Sequence, residues 1–182
     1  MSKIGYYIIY GILWLLTLPP FCFLYIISDI MFFFVYHIIG YRKKVVLDNL
    51  KNALPEKNEQ ERKQIARKFY RHLCDFFVES LKTIHISKKQ LDKRFVYKNP
   101  GLINNLYKKD KHIILISGHY ANWEWMINLP EKIQHTFLTV VKPLENRHAN
   151  KIISNLRGKF GVVIIPMKDT LRALITHIKN NE

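Results

Sequence analysis

The N-terminal region most constrains this chain, because it holds two long apolar stretches with almost no charge. They are IGYYIIYGILWLLTL at 4–18 and FCFLYIISDIMFFFVYHII at 21–39, and Pro19 and Pro20 separate them. At about 1.5 Å per residue they reach about 22 Å and about 28 Å, against a hydrocarbon thickness of about 30 Å. Only the second is long enough to span a bilayer. We expect this region to stay attached and not to be a cleavable signal peptide, because it is too long and bulky residues persist to its end.

Asp29 argues against a simple span, because a carboxylate at mid-membrane costs about 2.5 to 3.5 kcal/mol. The two stretches therefore either include one spanning helix or form a shallow hairpin, and both alternatives stay open. Arg42, Lys43 and Lys44 follow the apolar region, so the positive-inside rule places the rest of the chain in the cytoplasm. We expect a membrane anchor at 1–41 and a separate domain at 42–182. Two buried helices of a soluble domain are the alternative.

The charge of the chain narrows the class of its partners. The formal net charge is +15, from 29 Lys+Arg against 14 Asp+Glu, which favours an acidic protein, anionic lipid or nucleic acid. Nucleic acid is disfavoured, since no zinc, RRM or helix-turn-helix signature appears and the aromatic residues lie mostly near the N-terminus. Cys22 and Cys74 lack metal-ligand spacing and are expected to be inert reduced thiols.

The remaining sequence predicts an α/β domain. Apolar residues at helical spacing predict a surface helix over 42–54, beside the membrane and ended by Pro55, and a long amphipathic helix over 59–86. Four later runs are typical of strands, at 94–98, 112–117, 136–141 and 162–165. Helical stretches alternate with them at 100–108, 121–133, 146–160 and 168–180. This alternation predicts a largely parallel sheet, without internal repeats.

The segment ILISGHYANWE contains the first candidate site. Its apolar start is typical of a buried central strand, whose carboxyl end is where open α/β sheets bind ligands. His119 lies at that end, and Glu124 follows five positions later. If His119 is in the turn and a helix begins near Asn122, Glu124 can accept the N–H of the imidazole and leave the other nitrogen as a base. The alternative is an ordinary turn histidine and a surface acid near a helix start.

Such a His-Glu dyad deprotonates a hydroxyl that the substrate supplies, so it requires no nucleophile from the enzyme. Ser117 lacks a Gly-x-Ser-x-Gly elbow, and no His-Glu-x-x-His zinc motif is present, so neither a serine hydrolase nor a zinc protease is favoured. We expect no metal and no redox cofactor.

The block VKPLENRHANKIISNLRGKFG contains the second candidate site. A helical wheel places Asn146, Asn150 and Arg157 along one edge of an apolar face. Lys142, at the end of the preceding strand, is expected to join Arg157 in holding a phosphate or an oxyanion. Ordinary solvated cations are the alternative interpretation of both basic residues.

These blocks together resemble the lipid A biosynthesis (late) acyltransferases of lipopolysaccharide assembly. The resemblance rests on the apolar N-terminus, VVLDNLKNALPE, DFFVES, GHYANWE and VVKPLENRHANKIISNLRGKFG, and covers essentially the whole chain. It implies an enzyme at the cytoplasmic face of the bacterial inner membrane. That enzyme moves a fatty acyl group from an acyl carrier protein thioester to a hydroxyl of a lipid A precursor. Anionic membrane lipids are the third expected partner.

The family's motifs assign roles to five residues. The resemblance implies that His119 and Glu124 are the catalytic pair, and that Lys142, Asn146 and Arg157 bind substrate. Lys142 departs from the arginine expected there and loses its two-point hydrogen bonding.

The resemblance also implies that the chain is truncated. Family members continue after a helix that resembles LRALITHIKNNE, so the sheet is expected to be incomplete. Two alternative functions stay open: a catalytically inactive membrane or lipid-binding protein, and a glycerolipid or glycolipid acyltransferase that uses acyl-CoA.

Overall fold

The computed structural model describes residues 3–179, which are mostly helical. The α-helices are α1 (Lys3–Thr17), α2 (Phe21–Phe33), α3 (Lys43–Ala53), α4 (Glu59–Lys82), α5 (Lys88–Arg94), α6 (Pro100–Tyr107), α7 (Arg147–Gly158) and α8 (Thr170–Lys179). A π-helix, Phe34–Ile39, continues α2, and 3-10 helices cover Trp123–Glu131 and Met167–Asp169. The strands are β1 (Leu138–Val141) and β2 (Val163–Pro166).

The chain divides into two compact units. One contains residues 13–85, and the other contains the described residues before 13 and after 85. The predicted anchor at 1–41 and domain at 42–182 concern the membrane, which this division does not test, and they stay predictions.

In the unit of residues 13–85, α2 packs against α4. The buried side chains of Phe32, Tyr70 and Cys74 form its core. A capping box begins α4, since the Asn58 side chain accepts from the Glu61 backbone N–H at 2.9 Å and Glu61 accepts from Asn58 N–H at 2.8 Å. Such reciprocal caps satisfy donors that a helix start leaves without partners. At the other end of α4, Lys82 is buried and donates to the carbonyls of Thr17, Leu18 and Pro19.

In the other unit, β1 and β2 form a parallel pair in which Leu138 aligns with Val163 and Val141 with Pro166. The α-helix α7 connects them, as a parallel crossover requires. Its buried Ile152 belongs to an apolar set that also includes Phe160, Val162 and Ile165. The 3-10 helix at Trp123–Glu131 is fixed by its own buried side chains, Trp125, Ile127 and Leu129.

Most of the predicted helices are confirmed within two to four residues at their ends, which is the usual uncertainty of boundaries. The predicted helix at 59–86 ends earlier, at Lys82, where Ile84 and His85 form turns by donating to Leu81 and Lys82 carbonyls. The segment at 121–133 is a 3-10 helix instead of an α-helix. Pro130 lies inside it and has no N–H to donate, and residue 180 of the last predicted helix lies outside the described residues.

Two of the four predicted strands are wrong. Residues 94–98 and 112–117 are not strands, and the sheet of the described residues contains β1 and β2 alone. The predicted buried strand at 113–116 is instead solvent-facing, with Ile114 and Ile116 each 90% exposed. A β-forming sequence becomes a strand only beside a partner strand, and the structure provides none for this segment. The described residues are thus mostly helical with one parallel pair of strands, which is compatible with the predicted mixed α/β class but not with the larger sheet that the sequence predicted.

One helix of residues 3–179 is long and apolar enough to cross a membrane, namely Phe21–Ile39. Little of it is buried by the rest of the protein, whereas a core helix of a soluble domain is mostly buried. The apolar helix before it, Gly5–Thr17, is shorter than a span requires.

The cysteines are both free, with Cys22 exposed and Cys74 buried.

Candidate active site

His119 lies in the irregular segment just before the 3-10 helix that begins at Trp123. Its side chain is exposed, and its ring contacts that of Trp123 edge-on, with centroids 4.6 Å apart. The turn around it is tight, since Tyr120 N–H donates to the Gly118 carbonyl at 2.9 Å and Ala121 has a positive φ of 48°. Neither imidazole nitrogen bonds to another residue of 3–179. The ring is thus oriented by an aromatic contact and is open to a substrate.

Glu124 lies in the first turn of the same 3-10 helix, and its carboxylate binds Arg157. Arg157 Nε donates to one carboxylate oxygen at 2.9 Å, and Nη2 donates to the other at 2.5 Å. The side chain of Glu124 is only 19% exposed, and that of Arg157 is 29% exposed. Charge-assisted pairs with two parallel hydrogen bonds are among the strongest polar contacts in proteins. The hydrogen bonds that Arg157 donates to Glu124 raise the pKa of Arg157 despite its partial burial, so the guanidinium stays charged.

The expected hydrogen bond from His119 to Glu124 is absent among the described residues. Its geometric premise is otherwise met, because His119 precedes a helix and Glu124 lies in the first turn of that helix. Arg157 takes both carboxylate oxygens instead, since a guanidinium presents two parallel donors where an imidazole presents one. The structure therefore shows Glu124 paired with Arg157, and the catalytic pairing of His119 with Glu124 stays a prediction.

The residues predicted to border α7 have several different partners. Asn146 caps this helix, because its side-chain oxygen accepts from the N–H groups of His148 at 3.0 Å and Ala149 at 3.1 Å. The Asn150 side chain accepts from Leu144 N–H at 2.9 Å. Two of the three residues on the predicted polar edge thus fix backbone groups, and the third, Arg157, points to Glu124.

Lys142 follows β1 directly and is exposed. It lies at the carboxyl edge of the parallel pair, where α/β folds bind ligands. Within residues 3–179, Lys142 forms no hydrogen bond or ion pair. The structure therefore joins Glu124 to Arg157 and leaves His119, Lys142 and Asn146 without a direct polar contact to that pair.

A polar network that sequence analysis missed supports the helix of Glu124. Tyr97 donates to Asn128 Oδ1 at 2.8 Å, and Asn128 Nδ2 donates to Asp92 at 3.1 Å. Lys132 completes it with an ion pair to Asp92 at 2.8 Å. Burial, and secondarily the Asp92 charge, raise the pKa of Tyr97 far above its usual value, so its hydroxyl remains a donor. These residues are 31 and 36 positions apart, and no spacing rule connects them.

Trp123 is a second residue that was missed, although it lies within the segment GHYANWE. Its ring contacts His119, and an aromatic residue next to a histidine motif was the available signal. Within the part of the chain that the structure describes, no group of three or more His, Cys, Asp or Glu side chains is placed to hold a metal ion.

Comparison with known proteins gives one match over the whole chain. A family model described as "Bacterial lipid A biosynthesis acyltransferase" matches residues 1–182. No curated protein and no solved structure matches the chain significantly.

Proposed function

Because the chain belongs to the bacterial lipid A biosynthesis acyltransferase family, we propose that it is a membrane-bound O-acyltransferase of the bacterial inner membrane. Its donor is an acyl carrier protein thioester, and its acceptor is a hydroxyl of a lipid A precursor. The observation that carries the proposal is the contact between Glu124 and Arg157. It joins the two predicted site blocks, 33 residues apart in sequence, and Glu124 follows the exposed His119 by five positions.

The chemical step begins at His119. Its unprotonated ring nitrogen removes the proton of the acceptor hydroxyl while that oxygen attacks the carbonyl carbon of the thioester. The resulting tetrahedral oxyanion collapses, the carbon–sulfur bond breaks, and the departing thiolate takes the proton from the imidazolium. An ester and a free thiol are the products, so atoms and charges balance without a metal or a redox cofactor.

Arg157 supplies the positive charge that this step needs. Its forked donors match a phosphate of the lipid A precursor or the developing oxyanion. Either anion replaces Glu124 as the acceptor of the same two N–H groups. Glu124 is then available to accept the N–H of His119 and to stabilise the imidazolium, so anion binding at Arg157 and activation of His119 are coupled.

Lys142 and Asn146 are proposed to contribute to substrate binding more weakly. Lys142 is exposed at the carboxyl edge of the sheet, where its charge attracts an anionic headgroup. Asn146 already uses its side-chain oxygen to cap α7, which leaves its amide N–H groups for a ligand.

The charge of the chain fits both proposed substrates. Acyl carrier protein and lipid phosphates are acidic, and a net charge of +15 increases their rate of encounter with the enzyme. Arg42, Lys43 and Lys44 follow the candidate membrane helix Phe21–Ile39, which favours the cytoplasmic face. Nucleic acid is not among the proposed partners.

The proposal is tested with bacterial membranes that contain the 182-residue chain. They are incubated with acyl carrier protein thioester and an under-acylated lipid A precursor, and lipid masses are measured. We expect a gain of one acyl group with the native chain and no gain with His119→Ala. His112→Ala is the matched control, because His112 is also exposed and precedes the site. A gain retained by His119→Ala contradicts the mechanism.

One observation favours a second candidate, an inactive lipid-binding protein. Glu124 binds Arg157 and accepts no hydrogen bond from His119 among the described residues, so the catalytic dyad is not assembled in this structure. Precursor binding without any acyl product, from either acyl carrier protein thioester or acyl-CoA, would support this candidate. Product from acyl-CoA alone would instead identify a glycerolipid-type or glycolipid-type donor preference.

A further inference from the structure

The helical rod Phe21–Ile39 has two distinct faces within its α2 portion. One face is buried and consists of Phe21, Leu24, Ser28 and Phe32. These residues are three or four positions apart and therefore lie on the same side of the helix. The opposite side, here called the outer face, consists of Phe23, Ile26, Ile30 and Phe33. These four side chains are between 53% and 56% exposed, so the outer face is uniformly uncovered along the helix.

The inner side of the rod is bound to α4 through polar groups. Tyr25 donates to Glu79 at 2.6 Å, and Ser28 donates to Asp75 at 2.6 Å. Lys82 binds the carbonyls just before α2. The helix α4, which carries the ionisable groups Asp75, Glu79 and Lys82, therefore lies alongside the apolar rod. If the rod crossed the membrane, α4 would have to enter the hydrocarbon with it.

Asp29 marks the boundary between the two faces. It forms an ion pair with Arg71 at 3.5 Å, and the two side chains are 62% and 58% exposed, respectively. Asp29 is near the middle of the rod, so a perpendicular span would place this open ion pair near the bilayer centre, where charged side chains are most costly. If the rod lies parallel to the surface, the pair remains at the level of the headgroups while the outer face is buried in lipid.

Charge selects the kind of lipid. Arg42, Lys43 and Lys44 follow the rod directly, and basic residues next to an apolar surface helix bind anionic headgroups. Lys43 is placed by its contact with the Tyr36 ring, 4.2 Å from the centroid. An anionic phospholipid leaflet therefore complements both the outer face and the residues that follow it.

We propose that Phe21–Ile39 lies in the plane of one anionic leaflet, with its outer face in the acyl chains and α4 on the water side. The rod does not cross the bilayer. This inference deepens the proposed function, because it rests on the membrane location and specifies how the location is achieved.

Depth measurements test the orientation. The full chain, with Cys22→Ser, is reconstituted in vesicles of phosphatidylethanolamine and phosphatidylglycerol. Spin labels are attached to Phe23→Cys, Ile26→Cys, Ile30→Cys or Phe33→Cys, one at a time, and depth is read from relaxation by oxygen against a nickel chelate. All four positions are exposed, so the labels leave the packing on α4 intact. Arg67→Cys, on an exposed position of α4, is the control and should report water.

The two orientations give different depth profiles. A rod in the plane gives four similar depths, whereas a span gives depths that change from residue 23 to residue 33, a rise of about 15 Å along the helix. A depth gradient, or a failure of the chain to bind these vesicles, overturns the inference. The depth measurement and the acyl transfer assay test different hypotheses. If the chain shows a depth gradient and still forms product, only the proposed orientation is wrong. If the four depths are equal and no product forms, only the proposed function is wrong.

Discussion

The guanidinium of Arg157 holds the carboxylate of Glu124 by two hydrogen bonds, 2.9 and 2.5 Å long, and so joins α7 to the 3-10 helix that follows His119. Each partner is mostly buried, and each comes from a different block of the sequence. The contact makes the two residues a unit, in which changing one leaves the other as a partly buried charge without its partner.

Replacing either residue should reduce acyl transfer by a shared mechanism. Arg157→Lys keeps the charge but loses the fork, and Glu124→Gln keeps the shape but loses the charge. We expect Arg157→Lys to lower kcat/KM about 100-fold, the usual loss for one donor to an oxyanion. Glu124→Gln should lower it by about the same factor, because a neutral amide cannot hold the guanidinium by two charge-assisted hydrogen bonds. The double variant should be about as slow as the slower single variant, because both changes break one unit.

Arg147→Lys, in the first turn of the same helix, is the matched control and should be unchanged. Rates are measured as initial product formation with the acyl carrier protein donor. Losses that multiply in the double variant would show that the two residues act independently and would contradict the coupling.

Asn146→Ala should destabilise the protein, because the Asn146 side chain caps α7 through two backbone N–H groups. The expected cost is about 1 kcal/mol. Asn146→Asp retains the acceptor and should keep the native thermal midpoint. If both variants melt like the native chain, the cap contributes nothing; if the aspartate variant is stable but inactive, the side chain binds substrate directly.

Tyr97→Phe should lower stability at neutral pH and reduce its decline at high pH. The change leaves the buried Asn128 oxygen without its donor, at a cost of about 1 to 3 kcal/mol. Burial raises the pKa of Tyr97, so the folded state holds the phenol proton more tightly than the unfolded state. This contribution is complete below about pH 10, the ordinary tyrosine value, and is lost as the pH rises further.

Urea unfolding midpoints in detergent at pH 8 and pH 11 measure the effect. The difference between native and Tyr97→Phe protein should shrink at pH 11, whereas an exposed tyrosine changed to phenylalanine, Tyr120→Phe, should give none. An equal difference at both pH values would contradict the role of the phenol proton.

Lys82→Met should unfold the unit of residues 13–85 at a lower urea concentration. Methionine fills similar space, but it leaves the carbonyls of Thr17, Leu18 and Pro19 without their buried donor. Hydrogen bonds from a charged group contribute about 1.5 to 3 kcal/mol each when isolated, so a loss of roughly 3 kcal/mol is expected. Lys68→Met, on an exposed position of the same helix, is the control, and equal midpoints for the two variants would contradict the role of Lys82.

The sequence predicted helices well because their signals are local. Apolar periodicity located α3, α4 and α7, and the alternation of helical stretches with predicted strands located α6 and α8. The strand at 112–117 was not predictable in this way, since Ile114 and Ile116 need a neighbouring strand that their own letters do not specify. Periodicity identifies which residues prefer burial but not whether a surface exists to bury them.

In the candidate site, too, the sequence predicted local features but not contacts between distant elements. His119 and Glu124 were identified as a pair because a turn followed by a helix start can bring residues five positions apart together. Arg157 was identified from its position on the polar edge of α7. That Arg157 would take the carboxylate of Glu124 followed from no spacing, because the contact depends on how two elements 33 residues apart pack. The catalytic roles of His119 and Glu124 stay predictions, as do the substrate-binding roles of Lys142, Asn146 and Arg157.

The polar contacts between the apolar rod and α4 impose an order on biosynthesis. Ser28 binds Asp75 and Tyr25 binds Glu79, and these partners are 47 and 54 residues later in the chain. At about 5 to 20 residues per second, a ribosome needs several seconds to make that intervening length. During this interval the nascent rod carries Ser28 and Asp29 without their partners, so its first environment has to tolerate them. A watery interface does so more readily than a hydrocarbon core.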